Sequence, residues 1–280
     1  MIVMLRKLFF VGAALLLSVC VSAQNYNKEK GAIRLLTYNT HYCKGATDPG
    51  ELTKDNIEKL GKVIKALDAD VVALQELDSA SIHRGNRYLL KEIADAAGSG
   101  YVPYYGNAAP FDEGSIGCGV LIKNTLSVKG IQVIHLPGDE TRAAVAVELK
   151  NFIFIGTHSD LNDEKRREGA QIVCDWIGKK SKPVFLAGDL NDSHRWPNGG
   201  VSFPVWIKYF DIISDTTGNS IPGRTDSEAL IDYVLLLKNR KASKVKVLRT
   251  HILRTVSVDG KSVDTATVSD HYPVFVDVKF

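Results

Sequence analysis

The sequence predicts an α/β (α+β) sandwich: two mostly antiparallel sheets packed face to face, with helices on their outer sides. Three observations predict it. Strand-like runs greatly outnumber helical stripes, the few helical stripes flank particular strands, and several apolar runs stop abruptly at residues able to bind metal or move protons.

Residues 1–23 carry Arg6 and Lys7, then the apolar core LFFVGAALLLSVCV, then Ser22 and Ala23. This order reads as a secretory signal peptide cleaved after Ala23, in a chain exported to the periplasm or outside if its source is bacterial. The apolar segment is shorter than the ~20 residues of a spanning helix. Lipidation at Cys20 ranks second, because a valine precedes that cysteine. Residues 24–30 form a short tail and 31–280 a single domain, expected to be monomeric and without a later membrane-crossing segment. The signal holds two basic and no acidic residues, so the mature chain has 33 Lys+Arg against 32 Asp+Glu, a net charge of +1. That balance gives nucleic acid no electrostatic support as a partner, although it does not exclude it. Cys43, Cys118 and Cys174 are too few and too widely spaced for a disulfide framework or a zinc site.

In chain order, IRLLTYN (Ile33 to Asn39) reads as a strand. A helix follows from Leu52 to Leu67, with Ile57, Leu60, Ile64 and Leu67 at helical spacing, and then the strand VVALQE, Val71 to Glu76. A second helix is expected from about Arg87 to Ala97, with Gly98 as its stop. GCGVLIKN, VKGIQVIHL, RAAVAVELK and NFIFIGTH follow as strands joined by consecutive hairpins. A charged helix from about Asp163 to Lys179 precedes PVFLAGDLN, Pro183 to Asn191. A Trp-, Pro- and Gly-rich loop leads to the last strands, IDYVLLLK, VKVLRTHIL and YPVFVDVKF. The segments Gly45 to Glu51 and Ser193 to Phe203 are expected as rim loops, with Trp196 either touching ligand or plugging an apolar gap.

The organising stretch is PVFLAGDLN. Four apolar residues after Pro183 suit a buried strand, Gly188 suits a close backbone approach, and Asp189 and Asn191 share one side if strand geometry continues through Leu190. Asn39, Glu76 and His158 end other runs in the same way, and Asp270-His271 stands at the entrance of the last strand. The role of Asp160, close to His158, is left open between a turn residue and a site residue. Asn39, Glu76, Asp189, Asn191 and Asp270 form an oxygen-rich set supported by His158 and His271, which favours Mg2+ or Mn2+ over zinc. Such a set suits phosphoryl chemistry. No glycine-rich nucleotide cradle of the GxxxxGK[ST] kind is present.

Thr37-Tyr38-Asn39, Leu74-Gln75-Glu76, Thr157-His158, Gly188-Asp189-Leu190-Asn191, Ile231-Asp232-Tyr233 and Ser269-Asp270-His271, in this order, resemble the endonuclease/exonuclease/phosphatase superfamily. The resemblance implies a four-layer αββα, DNase I-like sandwich and metal-dependent hydrolysis of a phosphate ester. It implies Glu76, Asn39 and Asp270 at the metal, with Asp189 orienting or deprotonating the attacking water. Asn191 assists at the phosphate, His271 stabilises phosphoryl charge and Asp232 holds His271. His158 would face the phosphate or protonate the leaving group, and Arg142 resembles a phosphate-side arginine.

No serine or cysteine shows a nucleophile-base arrangement, so direct in-line attack by water is expected. The two histidines favour a diester over a monoester. The substrate is expected to be a nucleic acid or nucleotide, or a lipid or sugar phosphate. Glu228 to Tyr233 departs from the inositol phosphatase pattern, which argues against inositol polyphosphates. The alternative is a catalytically silent binding protein on the same fold.

Overall fold

The computed structural model describes residues 26–47, 49–178 and 180–280. The signal-peptide reading therefore lies outside the described residues. Among them, no helix is long and apolar enough to cross a membrane.

In chain order the elements are β1 (Ile33–Asn39), α1 (Lys54–Leu67), β2 (Val71–Ser81), β3 (Arg87–Tyr88), α2 (Leu89–Ala97), β4 (Tyr101–Phe111), β5 (Gly114–Lys123), β6 (Val128–Leu136), β7 (Arg142–Leu149), β8 (Ile153–His158), α3 (Asp163–Ile177), β9 (Val184–Asp189), α4 (Phe203–Tyr209), β10 (Phe210–Ile212), β11 (Asp232–Leu237), β12 (Lys246–Ile252), β13 (Thr255–Val258), β14 (Lys261–Asp264) and β15 (Val274–Lys279). One sheet has the order β12-β15-β1-β2-β5-β4, with β3 on β2; the other has β10-β11-β9-β8-β7-β6. Each is antiparallel except for one parallel pair, β1 with β2 and β8 with β9.

Alternation of side chains across each strand produces the layers. Leu35, Ala73, Val120, Val145, Phe154, Phe185 and Val276 face inward between the sheets. The opposite face of the first sheet packs against Ile57, Leu60, Ile64 and Leu67 of α1 and against Ile93 of α2. The second sheet packs in the same way against Val173 and Ile177 of α3 and Trp206 beside α4 residue Phe203. The result is helix, sheet, sheet, helix, the expected four layers. Thr53 caps α1 by accepting from the Asn56 N–H, and Asn162 caps α3 by accepting from Glu164 and Lys165.

Several expectations need correction. The second helix begins at Leu89, because Arg87 and Tyr88 pair with Ser81 and Ser79 of β2. The run of hairpins is broken between β5 and β6, which lie in different sheets. YVPYYGNAAPF was read as no element and is β4, an edge strand where Pro103 and Pro110 need no ladder partner on their open side. The Trp-rich loop runs into α4. Helix α3 stops at Ile177. Cys43, Cys118 and Cys174 are all free and buried.

Candidate active site

The site lies at one end of the sandwich, where strands of both sheets finish. Asp189 ends β9 and pairs across the ladder with His158 of β8 on one side and Asp232 of β11 on the other. Gly188 makes this approach possible: a Cβ there would sit 2.2 Å from the Thr157 carbonyl oxygen. From the first sheet, Asn39 ends β1 and Glu76 projects from an irregularity in β2, where the register with β5 shifts between Leu74 and Leu77. Glu76 has φ +56, a left-handed conformation that turns its side chain out of the strand's alternation.

One side chain bridges the sheets. The Asn39 amide donates to Glu76 Oε1 at 2.9 Å and to Asp189 Oδ2 at 3.1 Å, while its own oxygen accepts from the His41 N–H at 3.0 Å. Strand geometry does not continue through Leu190. Asn191 instead has φ +46 and reaches the site by a turn in which its N–H donates to Asp189 Oδ1 at 2.8 Å. Its amide nitrogen lies 3.1 Å from His158 Nε2 and donates to the Ser159 carbonyl.

His271 Nδ1 is 2.8 Å from Asp232 Oδ2, and the Nε2 atoms of both His158 and His271 lie 3.7 Å from Asp189 Oδ2. Ser269, which sequence reasoning passed over as a site residue, donates to the Asn39 carbonyl and accepts from the His271 N–H, so it ties the last loop to β1. Arg142 reaches His158 Nδ1 at 3.4 Å and pairs with Asp160 at 3.2 Å and Glu140 at 3.1 Å. Asp160 is thus buried beside Arg142 while it also accepts from the Asn162 N–H in a turn.

These groups surround a cleft of about 230 Å³ lined by Tyr42, Glu76, Glu140, Arg142, His158, Leu161, Asp189, Asn191 and His271. Asn39 and Asp232 lie beneath it, fully buried. Asp270 stands beside it, 3.9 Å from His41 and close enough to Glu76 to act on its charge. All nine residues singled out in the sequence thus meet in one place. Neither expected rim loop contributes a lining residue among those described, and Trp196 packs over the Arg166 guanidinium instead. Tyr42, Glu140 and Leu161 were missed, since each sits in irregular backbone with no periodic signal.

Burial, and then repulsion from Asp232, push the Asp189 carboxyl up to about 7. Burial opposes charge on His271, yet Asp232, Asp189 and Asp270 together outweigh it and push the imidazole up to about 10. Burial, followed by the charges of Arg142 and His271, holds His158 well below its ordinary value and therefore neutral. Two histidines facing one carboxylate consequently differ in charge.

The donor set fits a hard divalent ion. Burial, with Asp270 adding to it, raises the Glu76 carboxyl above the usual range even though Asn39 donates to it. Asp189, Asp232 and His271 also bring ligand-type atoms within 4.8 Å of one another. His271 already shares Nδ1 with Asp232, which leaves Nε2 facing Asp189. Glu76 and Asp270 add carboxylate oxygens, and Asn39 an amide oxygen, at the same end of the sandwich.

A sequence profile of the Endonuclease/Exonuclease/phosphatase family matches residues 36–271. No curated protein matches the chain. Among solved structures, a mannosyl-6-phosphatase of Bacteroides thetaiotaomicron is similar at 18% identity, covering 89% of this chain and 100% of that one, with a TM-score of 0.66. A family protein of Beutenbergia cavernae is 21% identical over 89% of this chain and 72% of its own, with a TM-score of 0.67. D. rerio TDP2, complexed with single strand DNA product, is 15% identical over 89% and 99%, with a TM-score of 0.64. At these identities the likeness is one of fold.

Proposed function

This chain belongs to the Endonuclease/Exonuclease/phosphatase family, and from that premise we propose that it is a divalent-metal-dependent phosphoester hydrolase that directs water in line onto phosphorus. The observation that carries the reading is the position of Asp189, held by Asn39 from the opposite sheet and faced by His158 and His271 at equal distance.

Mg2+ or Mn2+, held by Glu76, Asn39 and Asp270, would supply neutralisation of phosphoryl charge. Asp189, a carboxylate poised near neutrality, orients water and accepts its proton. His271, kept cationic by Asp232, stabilises charge on the phosphoryl oxygens. Asn191 and Arg142 hold the phosphate. His158, being neutral, suits a hydrogen bond to a phosphoryl oxygen better than delivery of a proton to the leaving group. A cysteine nucleophile is disfavoured, because burial pushes the Cys118 thiol up to about 12 and raises the Cys43 thiol as well.

A diester is preferred, because two imidazoles and one arginine suit a singly charged phosphate. The similarities to a named phosphatase and to a DNA-bound protein are equally distant and favour neither substrate. Export as a monomer, after removal of residues 1–23, completes the proposal; N-terminal sequencing and the sedimentation of secreted protein check it. Hydrolysis of bis(p-nitrophenyl) phosphate should require Mg2+ or Mn2+, stop with EDTA, and fall by about 10³-fold or more in Asp189→Ala. Folded, metal-loaded protein without any turnover would support the silent binding protein instead.

A further inference from the structure

Four residues of the cleft wall do no chemistry in the mechanism above except, for Arg142, at the phosphate: Tyr42, Glu140, Arg142 and Leu161. They are what a substrate's remaining substituent would touch. Their charge is informative. The Arg142 guanidinium is engaged by Glu140 Oε2 at 3.1 Å and Asp160 Oδ2 at 3.2 Å, and the Glu140 side chain is 41% exposed, so a carboxylate stands at the mouth. Arg84, whose guanidinium lies over the Tyr42 ring, is bonded through one nitrogen to both oxygens of Asp78 at 2.8 Å, and Lys44 also acts on Asp78. Both arginines are thus matched by carboxylates, and Lys44, its Nζ 5.6 Å from the Tyr42 centroid, is a cation left over beside them; a nucleic acid is held by many such contacts.

Tyr42 is held unusually. His41, Tyr42 and Cys43 have φ of +48, +49 and +58, three successive left-handed residues without a glycine, each unfavourable by about 1–3 kcal/mol. The turn is kept in place by the Thr40 hydroxyl, which donates to the carbonyls of Gln75 and Glu76, by the His41 N–H on Asn39, and by burial of Cys43. Arg84 backs the Tyr42 ring, its guanidinium carbon 4.2 Å from the centroid. A backed aromatic ring and a partly exposed carboxylate therefore border the same cleft.

We propose that Tyr42 and Glu140 form the subsite for the non-phosphate part of the substrate, and that this part is a neutral polyhydroxylated ring, a sugar, rather than a nucleoside within a polyanion. This rests on the reading of the cleft as a phosphoester hydrolase. The C–H face of a sugar ring packs on an aromatic ring, and its hydroxyls donate to a carboxylate, which in turn repels additional phosphates.

Three chromogenic diesters that share a p-nitrophenyl group test it: the p-nitrophenyl ester of glucose 6-phosphate, that of thymidine 5′-phosphate, and bis(p-nitrophenyl) phosphate, each with Mg2+. The sugar diester is expected to have the highest kcat/KM, by about 10-fold, and its ratio to bis(p-nitrophenyl) phosphate should fall about 10-fold in Glu140→Ala and in Tyr42→Ala, mainly through KM. Preference for the thymidine ester, or an unchanged ratio in both variants, overturns the subsite while metal-dependent turnover of bis(p-nitrophenyl) phosphate leaves the hydrolase reading standing. If neither the diesters nor glucose 6-phosphate is turned over, the hydrolase reading fails, and calorimetric titration with glucose 6-phosphate decides the subsite. Binding weakened about 10-fold by Glu140→Ala upholds it, and absence of binding overturns it.

Discussion

Asn39 and Asp189 come from different sheets, yet the amide of one donates to the carboxylate of the other across 3.1 Å. The same amide nitrogen serves Glu76, so one side chain sets the spacing between the proposed base and the proposed metal ligand. Asn39→Ala should therefore lower kcat/KM on a generic diester by about 10²-fold or more while the circular dichroism spectrum stays native. Activity close to wild type would show that the two carboxylates are positioned without it.

His271 and Asp232 give a second expectation, for the metal-free protein. The imidazole should remain protonated up to about pH 10, well above a free histidine. Because its folded value is raised, its contribution to stability is complete below ~6.5 and is lost as pH rises through about 10. Asp232→Asn should move the His271 titration down by about one to three pH units, read by NMR of the ring protons.

Far from the cleft, Arg34 and Asp277 form a two-pronged pair of 2.7 and 2.8 Å between β1 and β15, both at most 2% exposed, and Arg249 joins it at 2.8 Å. Burial pushes the Asp277 carboxyl up, but the hydrogen bonds from Arg34 and Arg249 win and hold it below the ordinary range. Its stabilisation is thus present above the unfolded value of ~3.9 and lost as pH falls through the lower folded value. Asp277→Asn should destabilise by about 3–5 kcal/mol at neutral pH, because it leaves a buried guanidinium without its counter-charge. Urea unfolding at pH 7 and pH 3 measures both effects, and the difference between variant and wild type should shrink at the lower pH.

Asp192 organises the loop after the site. Fully buried, it accepts from the N–H groups of Ser193, Val201 and Ser202 and from the Ser202 hydroxyl. Asp192→Ala should cost about 1–3 kcal/mol and open residues 193–202 to limited proteolysis, with the cut sites read by mass spectrometry. Gly200, at φ +75, would place a Cβ 2.2 Å from Asp192 Oδ1, so Gly200→Ala should reproduce the effect.

The parts legible in the sequence are those governed by short-range chemistry. An apolar run that stops at Asp189, His158 or Asn39 announces a buried strand with a polar end, and the stripe through Ile57, Leu60 and Ile64 announces α1. Strand β4 was hidden because Pro103 and Pro110 interrupt its pattern, and these are tolerated only because it is an edge. The step from β5 to β6 crosses between sheets over the turn Asn124 to Ser127, and nothing local distinguishes that turn from a hairpin. Tyr42 and Glu140 escaped notice for a similar reason: their positions depend on a left-handed turn and on partners distant in the chain. Asp160 was read from its neighbours alone, whereas its environment is decided by Arg142 of another strand.

Because β1 lies between β2 and β15, with Ile33 opposite Val278, the first strand of the domain has its antiparallel neighbour among the final residues. A chain emerging from the ribosome can build its hairpins and helices early, but it cannot close the first sheet, or bring Asp270 and His271 beside Asn39, until β15 has been made. Assembly of this end of the sandwich consequently depends on a long-range closure, which slows folding. Any chain that lacks β15 is left without the strand that lies between β1 and β12.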